Sequence, residues 1–142
     1  MTDFVLDNSV TMRWLLESPK KSDQTYAENV LRAMSEQDAL VPNLWHLEVT
    51  NVVLGAEKRG DTTMGESEKF ITQLESLPIH VDAITAHQAF SRVINLARTY
   101  QLSSYDAAYL ELAIREGLAI ATLDKDLRKA AKKAEVALAF SG

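Results

Sequence analysis

Cysteine is absent from the 142-residue sequence. Its absence excludes disulfide bonds, thiolate zinc sites and cysteine nucleophiles, and it suits a reducing compartment, so we expect a cytoplasmic protein. The N-terminal segment has Asp3 where an export signal has basic residues, and its apolar run is too short for such a signal. Every apolar run is also far shorter than the roughly 20 residues of a transmembrane helix, so we expect no membrane association.

Positive charge is also scarce, because 20 acidic residues outnumber 15 basic residues and give a formal net charge of -5. This balance argues against capture of nucleic acid by a generally basic surface. It does not exclude a polyanionic substrate, since acids that surround a bound cation change the local charge. At this length we expect residues 1–142 to form one compact domain.

Short apolar runs alternate with segments of helical periodicity along the chain. The predicted strands cover residues 4–6, 39–41, 79–81 and 119–122, with residues 136–140 as a further edge strand. The predicted helices cover residues 10–16, 22–36, 45–59, 70–77, 86–97, 107–114 and 127–134. Strands separated by helices imply crossover connections, and hence an α/β fold whose mainly parallel central sheet lies between helices.

Four acidic residues stand where a short apolar run ends or a helix begins, namely Asp7, Glu48, Asp106 and Asp124. The first and fourth strands of a parallel sheet can be neighbours, and the turns that follow them would then converge at the edge where such sheets bind ligands. Crowded carboxylates repel and raise one another's pKa, whereas Mg²⁺ or Mn²⁺ neutralises them through oxygen ligands. The pattern therefore indicates a carboxylate pocket for a divalent cation.

Each acid in the first three positions also has a simpler interpretation. Asp7 is equally consistent with an Asx-turn. Glu48 shares a helical face with Asn51, and a helical glutamate is most often only solvated. Asp106 follows Ser103 at the spacing of a capping box, although its helical face points inward, where a carboxylate needs a metal or donor partner.

The fourth position is the most ambiguous. Asp124 opens a helix, so interaction with the helix N-terminus explains it without a metal. Thr122 is equally consistent with an N-cap, and Ser9 with a hydrogen bond to either a ligand water or the backbone. Asp126 is a second acid nearby and an alternative candidate for the role of Asp124.

Four segments carry these acids in a specific order and spacing. They are residues 5–9 (VLDNS), 44–51 (LWHLEVTN), 102–110 (LSSYDAAYL) and 121–127 (ATLDKDL). In these segments, and over essentially its whole length, the chain resembles the PIN-domain family, and within it the VapC-type toxins of bacterial and archaeal toxin-antitoxin pairs. The resemblance implies a three-layer α/β/α fold and a Mg²⁺- or Mn²⁺-dependent ribonuclease.

The resemblance also implies roles for individual residues. The family's acidic quartet is matched by Asp7, Glu48, Asp106 and Asp124, and its supporting polar positions are matched by Ser9, Asn51 and Thr122. Asp7 and Asp106 are then expected as the principal metal ligands, and Glu48 and Asp124 as ligands or water-orienting groups. Asp126 remains a possible alternative ligand.

In that chemistry, a cation held by the carboxylates lowers the pKa of a bound water and stabilises charge on the attacked phosphate. Hydrolysis of this kind leaves 5′-phosphate and 3′-hydroxyl ends, with transfer RNA or ribosomal RNA as the expected substrate class. The family also implies a cognate antitoxin that blocks the acidic pocket, and a homodimer or a toxin-antitoxin hetero-oligomer.

A basic stripe follows the fourth acid at helical spacing and is formed by Lys125, Arg128, Lys129, Lys132 and Lys133. The first three are candidate RNA contacts, although a stripe of this kind is usually a solvated helix face. The tryptophans and tyrosines are interpreted as core or interface residues rather than platforms for base stacking.

Other function classes fit the sequence less well. A phosphoryl-accepting signalling domain needs adjacent acids after its first strand, whereas Leu6 precedes Asp7, and a haloacid-dehalogenase-like phosphatase needs an aspartate where Ser9 stands. A binding module with an inactive site is disfavoured by the intact acid set. Among nucleases, an RNA-processing enzyme is the alternative to a toxin.

Overall fold

The computed structural model describes residues 3–140, and its centre is a sheet of four parallel strands. The strands are β1 (Phe4–Leu6), β2 (Ala39–Pro42), β3 (Ile79–Asp82) and β4 (Ala119–Ala121). Their order across the sheet is β3-β2-β1-β4, and helices flank the sheet. The predicted α/β fold with a parallel sheet is therefore confirmed, as is the prediction that the first and fourth strands are neighbours.

The register of the two neighbouring strands β1 and β4 brings their carboxyl ends to the same level. Phe4 pairs with Ala119 and Leu6 with Ala121. The ladder continues one step further, because the Asp7 N–H donates to the Ala121 carbonyl at 2.9 Å. Every β1 residue is buried, as expected for a central strand of a parallel sheet. The turns after β1 and β4 thus leave the sheet side by side.

The connecting segments are mostly α-helical. The helices are α1 (Asn8–Thr11), α2 (Lys21–Ala33), α3 (Trp45–Arg59), α4 (Met64–Ser76), α5 (Thr85–Gln88), α6 (Ile94–Tyr100), α7 (Ser104–Glu116) and α8 (Lys125–Lys133). A short 3-10 helix, Met12–Trp14, extends α1. None of the helices within residues 3–140 has the length and apolar content of a transmembrane span.

Helix α7 is the element that joins the core to the functional edge. It contacts β1, β2 and β4, and a run of seven of its residues is buried, from Ala107 to Ala113. It begins with Ser103, whose hydroxyl accepts the Asp106 N–H, and ends at Gly117, whose φ of 65° suits a residue without a side chain. The sheet face and the start of α7 are therefore fixed relative to each other.

The predicted continuous helix over residues 86–97 is wrong in its middle. Residues Ala89–Val93 form a π-helical turn between α5 and α6. A π turn accommodates an extra residue and changes which side chains face the core. Consequently Val93 is buried, but Phe90, which would share an apolar face with Val93 in a regular α-helix, is 96% exposed.

Two other boundaries also differ from the prediction. Helix α4 begins at Met64 rather than near residue 70, because Thr63 and Glu66 form a reciprocal capping box. The predicted edge strand over residues 136–140 is reduced, within the described chain, to an isolated parallel bridge between Ile120 and Leu138. Positive φ angles at Glu135 (61°) and Phe140 (57°) bend the backbone at both ends of that segment and prevent an extended strand.

A buried ion-pair network fastens α7 to the end of β3. The Arg115 guanidinium donates to both carboxylate oxygens of Asp82, at 3.0 and 2.9 Å, and to both oxygens of Glu111, at 2.8 and 2.9 Å. Glu111 is only 1% exposed, so it depends on Arg115 for its neutralisation. Sequence patterning did not reveal this network, since its members come from separate elements.

Candidate active site

Asp7 lies at the carboxyl end of β1, at the extended N-cap position of α1, and is only 4% exposed. Its Oδ2 accepts hydrogen bonds from the Ser9 hydroxyl at 2.6 Å and from the Thr122 hydroxyl at 2.8 Å. Burial raises the pKa of Asp7, the two hydroxyl groups lower it, and the charge of Asp124 raises it again. The net direction is upward, so the ionised form needs a positive partner.

The donor and acceptor roles of the two hydroxyl groups are fixed by their other contacts. The Ser9 hydroxyl accepts the Leu123 N–H at 2.9 Å, and the Thr122 hydroxyl accepts the Asp124 N–H at 3.0 Å. Each hydroxyl has one proton, and each is closer to Asp7 Oδ2, at 2.6 and 2.8 Å, than to the other hydroxyl oxygen, at 3.3 Å, so both protons are assigned to Asp7. The turn after β1 and the turn after β4 are thereby joined through a single carboxylate oxygen.

Glu48 reaches the same region from α3. One turn before it, the Trp45 indole N–H donates to the Thr11 hydroxyl at 3.2 Å, which ties α3 to α1. The half-buried Glu48 accepts the Tyr109 hydroxyl through Oε1 at 2.5 Å. Burial raises the pKa of Glu48 to about 7, and the charges of Asp7 and Asp106 add to the rise, against the lowering effect of the Tyr109 hydrogen bond.

Asp106 lies in the first turn of α7 and is half-buried. Burial raises its pKa to about 6, and the charges of Asp124, Asp7 and Asp126 raise it further. Its backbone N–H is capped by Ser103, but its carboxylate makes no hydrogen bond or ion pair within residues 3–140. Capping therefore accounts for the start of the helix and not for the inward-facing carboxylate.

The charges of Asp124 and Asp126 both raise the pKa of Asp106, but the two residues differ in their own contacts. Asp124 is the N-cap of α8, and its Oδ1 accepts the Leu127 N–H at 2.8 Å. Asp126 is exposed in the first turn of α8. The capping interpretation of Asp124 is thus correct as far as one carboxylate oxygen is concerned, while its charge still raises the pKa of both Asp7 and Asp106.

An open groove with a volume of about 640 Å³ runs past Glu48. Its wall includes Asn8, Asn51 and the exposed Tyr105 beside the apolar side chains of α3. Asn51 is exposed and makes no side-chain hydrogen bond within residues 3–140, so it lies next to Glu48 without supporting it. The Asn8 Oδ1 atom is buried and also lacks a partner within that range.

The basic residues of α8 differ in exposure and in their contacts. Lys125 and Lys129 are exposed on the helix that begins at Asp124. Arg128 instead is partly buried, donates from Nε to the Thr122 carbonyl at 2.6 Å, and stacks over the Tyr26 ring at 5.0 Å. Arg128 therefore supports the turn that carries Thr122.

The comparison with known families rests on the same stretch of chain. The model of the PIN domain matches residues 4–133, which is most of the sequence. The chain belongs to the PIN-domain family. No curated protein sequence matches this PIN domain.

Solved structures from three organisms have the same fold as this PIN domain. PAE2754 from Pyrobaculum aerophilum has a TM-score of 0.65 and 18% identity, covering 91% of this chain and 86% of that one. VapBC2 from Rickettsia felis, solved bound to a DNA fragment from its promoter, has a TM-score of 0.62 and 13% identity, covering 90% and 92%. VapC20 from Mycobacterium tuberculosis, a sarcin-ricin loop cleaving toxin, has a TM-score of 0.59 and 16% identity, covering 89% and 94%.

The donors of this PIN domain suit a hydrated hard cation. All the converging acidic groups are carboxylates, the ligands that Mg²⁺ and Mn²⁺ prefer. Burial raises the pKa of Glu48 and of Asp106, and the charges of neighbouring carboxylates add to the rise. Within residues 3–140, no three histidine, aspartate or glutamate side chains are close enough to coordinate one ion together as they stand. Mg²⁺ commonly uses only one or two carboxylates and keeps several waters, so this spacing is compatible with it.

Sequence reasoning missed one residue of the site, Tyr109. Its assignment to the core is correct, because it is 0% exposed, but its hydroxyl contacts Glu48. A signal was present, since Tyr109 stands three residues after Asp106 on one helical face and a buried tyrosine hydroxyl needs a partner. The identity of that partner depends on how α3 packs, which patterning does not give.

Proposed function

We propose that this PIN domain is a Mg²⁺- or Mn²⁺-dependent ribonuclease and acts as the toxin of a toxin-antitoxin pair in the cytoplasm. The observation that carries the proposal is the convergence of carboxylates from β1, α3, α7 and α8 at the carboxyl edge of the sheet. Burial raises the pKa of Asp7, Glu48 and Asp106, and the charges of neighbouring carboxylates raise each of them further. A cluster of this kind is costly to ionise without a cation.

The acidic residues would have different roles in binding the cation and orienting water. Asp7, held by Ser9 and Thr122, is a fixed ligand, and Asp106 is the second principal ligand because its carboxylate is free of other partners within residues 3–140. Glu48 and Asp124 bind the cation or orient water, with Asp126 as an alternative to Asp124. A bound divalent cation would neutralise these charges, lower the pKa of a water and stabilise charge on the phosphate.

The substrate belongs to the proposal as well. Lys125 and Lys129 are exposed and would contact an RNA backbone that enters beside Asp124, whereas Arg128 has less freedom because it is engaged with the Thr122 carbonyl. A local basic surface beside a cation-filled pocket overcomes the unfavourable net charge of the chain. Ribosomal RNA is the first substrate to test, since VapC20 is a sarcin-ricin loop cleaving toxin.

An antitoxin partner fits the groove beside Glu48. Leu47 and Leu54 on α3 are 74% and 56% exposed and line this groove together with Leu44 and Val52. A partner segment with apolar side chains followed by a basic residue would cover the leucines and neutralise the carboxylates. We include a homodimer in the proposal, to be tested by light scattering on the purified protein.

The test is cleavage of total cellular RNA by purified protein in Mg²⁺, Mn²⁺ or EDTA. Wild type is compared with Asp7→Asn and Asp106→Asn, and with Asp61→Asn as a control, since Asp61 is an exposed acid paired with Arg59 away from the pocket. Circular dichroism checks that each variant is folded. We expect cleavage by wild type and the control in either metal, and at least a hundredfold loss in both pocket variants.

Three results would count against the proposal. Equal cleavage by all four proteins would show that the pocket is not the active site. Cleavage that persists in EDTA would show that no divalent cation is needed. Binding of Mn²⁺ without cleavage of any RNA would favour a binding module over an enzyme.

A further inference from the structure

Tyr109 is buried at the meeting point of three segments. It belongs to α7, its hydroxyl donates to Glu48 Oε1 on α3 at 2.5 Å, and the backbone of Asn8 at the start of α1 lowers the pKa of its phenol. The side chain is 0% exposed and packs within the hydrophobic core. The core therefore fixes the location of its hydroxyl group.

Glu48 depends on that fixed hydroxyl. A glutamate side chain has three rotatable bonds, and this one has no ion pair and no other side-chain hydrogen bond within residues 3–140. Tyr109 engages only Oε1, so Oε2 keeps its lone pairs for another ligand. Without Tyr109, the half-buried carboxylate would sample several rotamers and lose entropy on binding a cation.

The Tyr109 phenol is protonated and donates a hydrogen bond to Glu48. Burial raises its pKa far above the physiological range, and the charges of Asp7 and Glu48 raise it further. The phenol is therefore the donor in this contact, and among residues 3–140 the acceptor of its proton is Glu48 Oε1.

We propose that Tyr109 is a positioning residue that orients the Glu48 carboxylate for the divalent cation. The inference rests on the proposed function, because it assigns Tyr109 a role within the same site. Hydrogen-bond partners of metal ligands typically change metal affinity or activity by about 10- to 100-fold when removed. Tyr109 acts through Glu48 and needs no contact with RNA.

The test replaces only the hydroxyl group, with Tyr109→Phe. Mn²⁺ affinity is measured by calorimetry without RNA, and RNA cleavage is measured as a function of Mn²⁺ concentration. We expect the Mn²⁺ dissociation constant and the half-maximal Mn²⁺ concentration for cleavage to rise about tenfold or more, with KM for RNA unchanged within twofold. Saturating Mn²⁺ should restore most of kcat.

The matched control is Tyr100→Phe, which removes a tyrosine hydroxyl at the end of α6 that makes no hydrogen bond to a carboxylate within residues 3–140. It should leave both Mn²⁺ values within twofold of wild type. A purely structural role of Tyr109 would lower the fraction of active protein without moving the half-maximal Mn²⁺ concentration. If Tyr109→Phe does not fold, Glu48→Asp withdraws the carboxylate from Tyr109 by one methylene group and should raise the same two values.

The outcomes separate this inference from the proposed function. If wild type neither binds Mn²⁺ nor cleaves RNA, the proposed function fails. If wild type does both and Tyr109→Phe has the same Mn²⁺ dissociation constant as wild type, the proposed function survives and the role of Tyr109 is refuted. An unchanged dissociation constant in Glu48→Asp would refute it equally.

Discussion

Replacement of Glu48 by glutamine should stabilise the metal-free protein at alkaline pH. Glutamine has the same shape and can still accept the Tyr109 hydroxyl, but it cannot ionise. The folded protein raises the pKa of Glu48 from 4.5 to about 7, so the wild-type carboxylate is harder to ionise in the folded state than in the unfolded state. The protonated Glu48 carboxyl therefore favours the folded state. Its contribution to the free energy of unfolding is fully present below pH 4.5 and is lost as the pH rises through 7.

The size of the effect follows from the same pKa. For a group fully shielded from water, a pKa rise of this size corresponds to roughly 3 kcal/mol in the free energy of unfolding. Solvent reaches about half of Glu48 and screens the charge, so we expect Glu48→Gln to gain about 1 kcal/mol at pH 8. That gain corresponds to an increase in Tm of about 2 to 4 °C for a domain of this size.

Urea unfolding in EDTA, at pH 8 and at pH 4.5, measures the difference between the two proteins directly. The glutamine variant should be the more stable protein at pH 8, and the advantage should shrink below about 0.5 kcal/mol at pH 4.5. Saturating Mg²⁺ at pH 8 should stabilise wild type more than the variant. A variant that is less stable than wild type at pH 8, or an advantage that is equal at both pH values, would refute the electrostatic reasoning.

Three further perturbations test other parts of the structure. Arg115→Met should cost about 3 to 5 kcal/mol in urea unfolding, because it leaves Glu111 buried without a counter-charge; a loss below 1 kcal/mol would show that the network is not needed. Thr122→Val removes a donor to Asp7 and should weaken Mn²⁺ binding about tenfold in calorimetry, whereas wild-type affinity would contradict the assigned contact. Gly117→Ala should cost about 1 kcal/mol in urea unfolding, because alanine is strained at the φ of 65°; an unchanged midpoint would contradict this.

Much of the fold was accessible from sequence because its strands are short, apolar and separated by helices. Burial of β1 on both faces produces the uninterrupted apolar run of residues 4–6. The predicted helix over residues 127–134 is equally direct, because Leu127, Ala130 and Ala131 recur at helical spacing and are buried. The π-helical turn was not accessible, since Phe90 satisfies the periodicity of an ordinary helix. Only the backbone hydrogen bonds reveal that it points outward.

The candidate site also has features that the sequence predicts and features that depend on side-chain packing. Sequence order placed Asp7 and Asp124 after strands that prove to be neighbours, and a parallel sheet then requires their turns to meet. The contacts of Glu48 with Tyr109, and of Arg128 with the Thr122 carbonyl, join distant elements through side-chain packing. Periodicity gives the face on which such a residue lies but not the atom that it contacts.

The chemistry of the RNA ends left by cleavage tests the central claim most directly. In the proposed function, Asp7 and Asp106 would hold a cation that activates water, and hydrolysis of this kind would leave a 5′-phosphate and a 3′-hydroxyl and depend on both the metal and the two carboxylates. We therefore predict 5′-phosphate ends from wild type in Mn²⁺, and none in EDTA or from Asp106→Asn. Ends with a 2′,3′-cyclic phosphate, or 5′-phosphate ends that persist in the variant, would contradict the account.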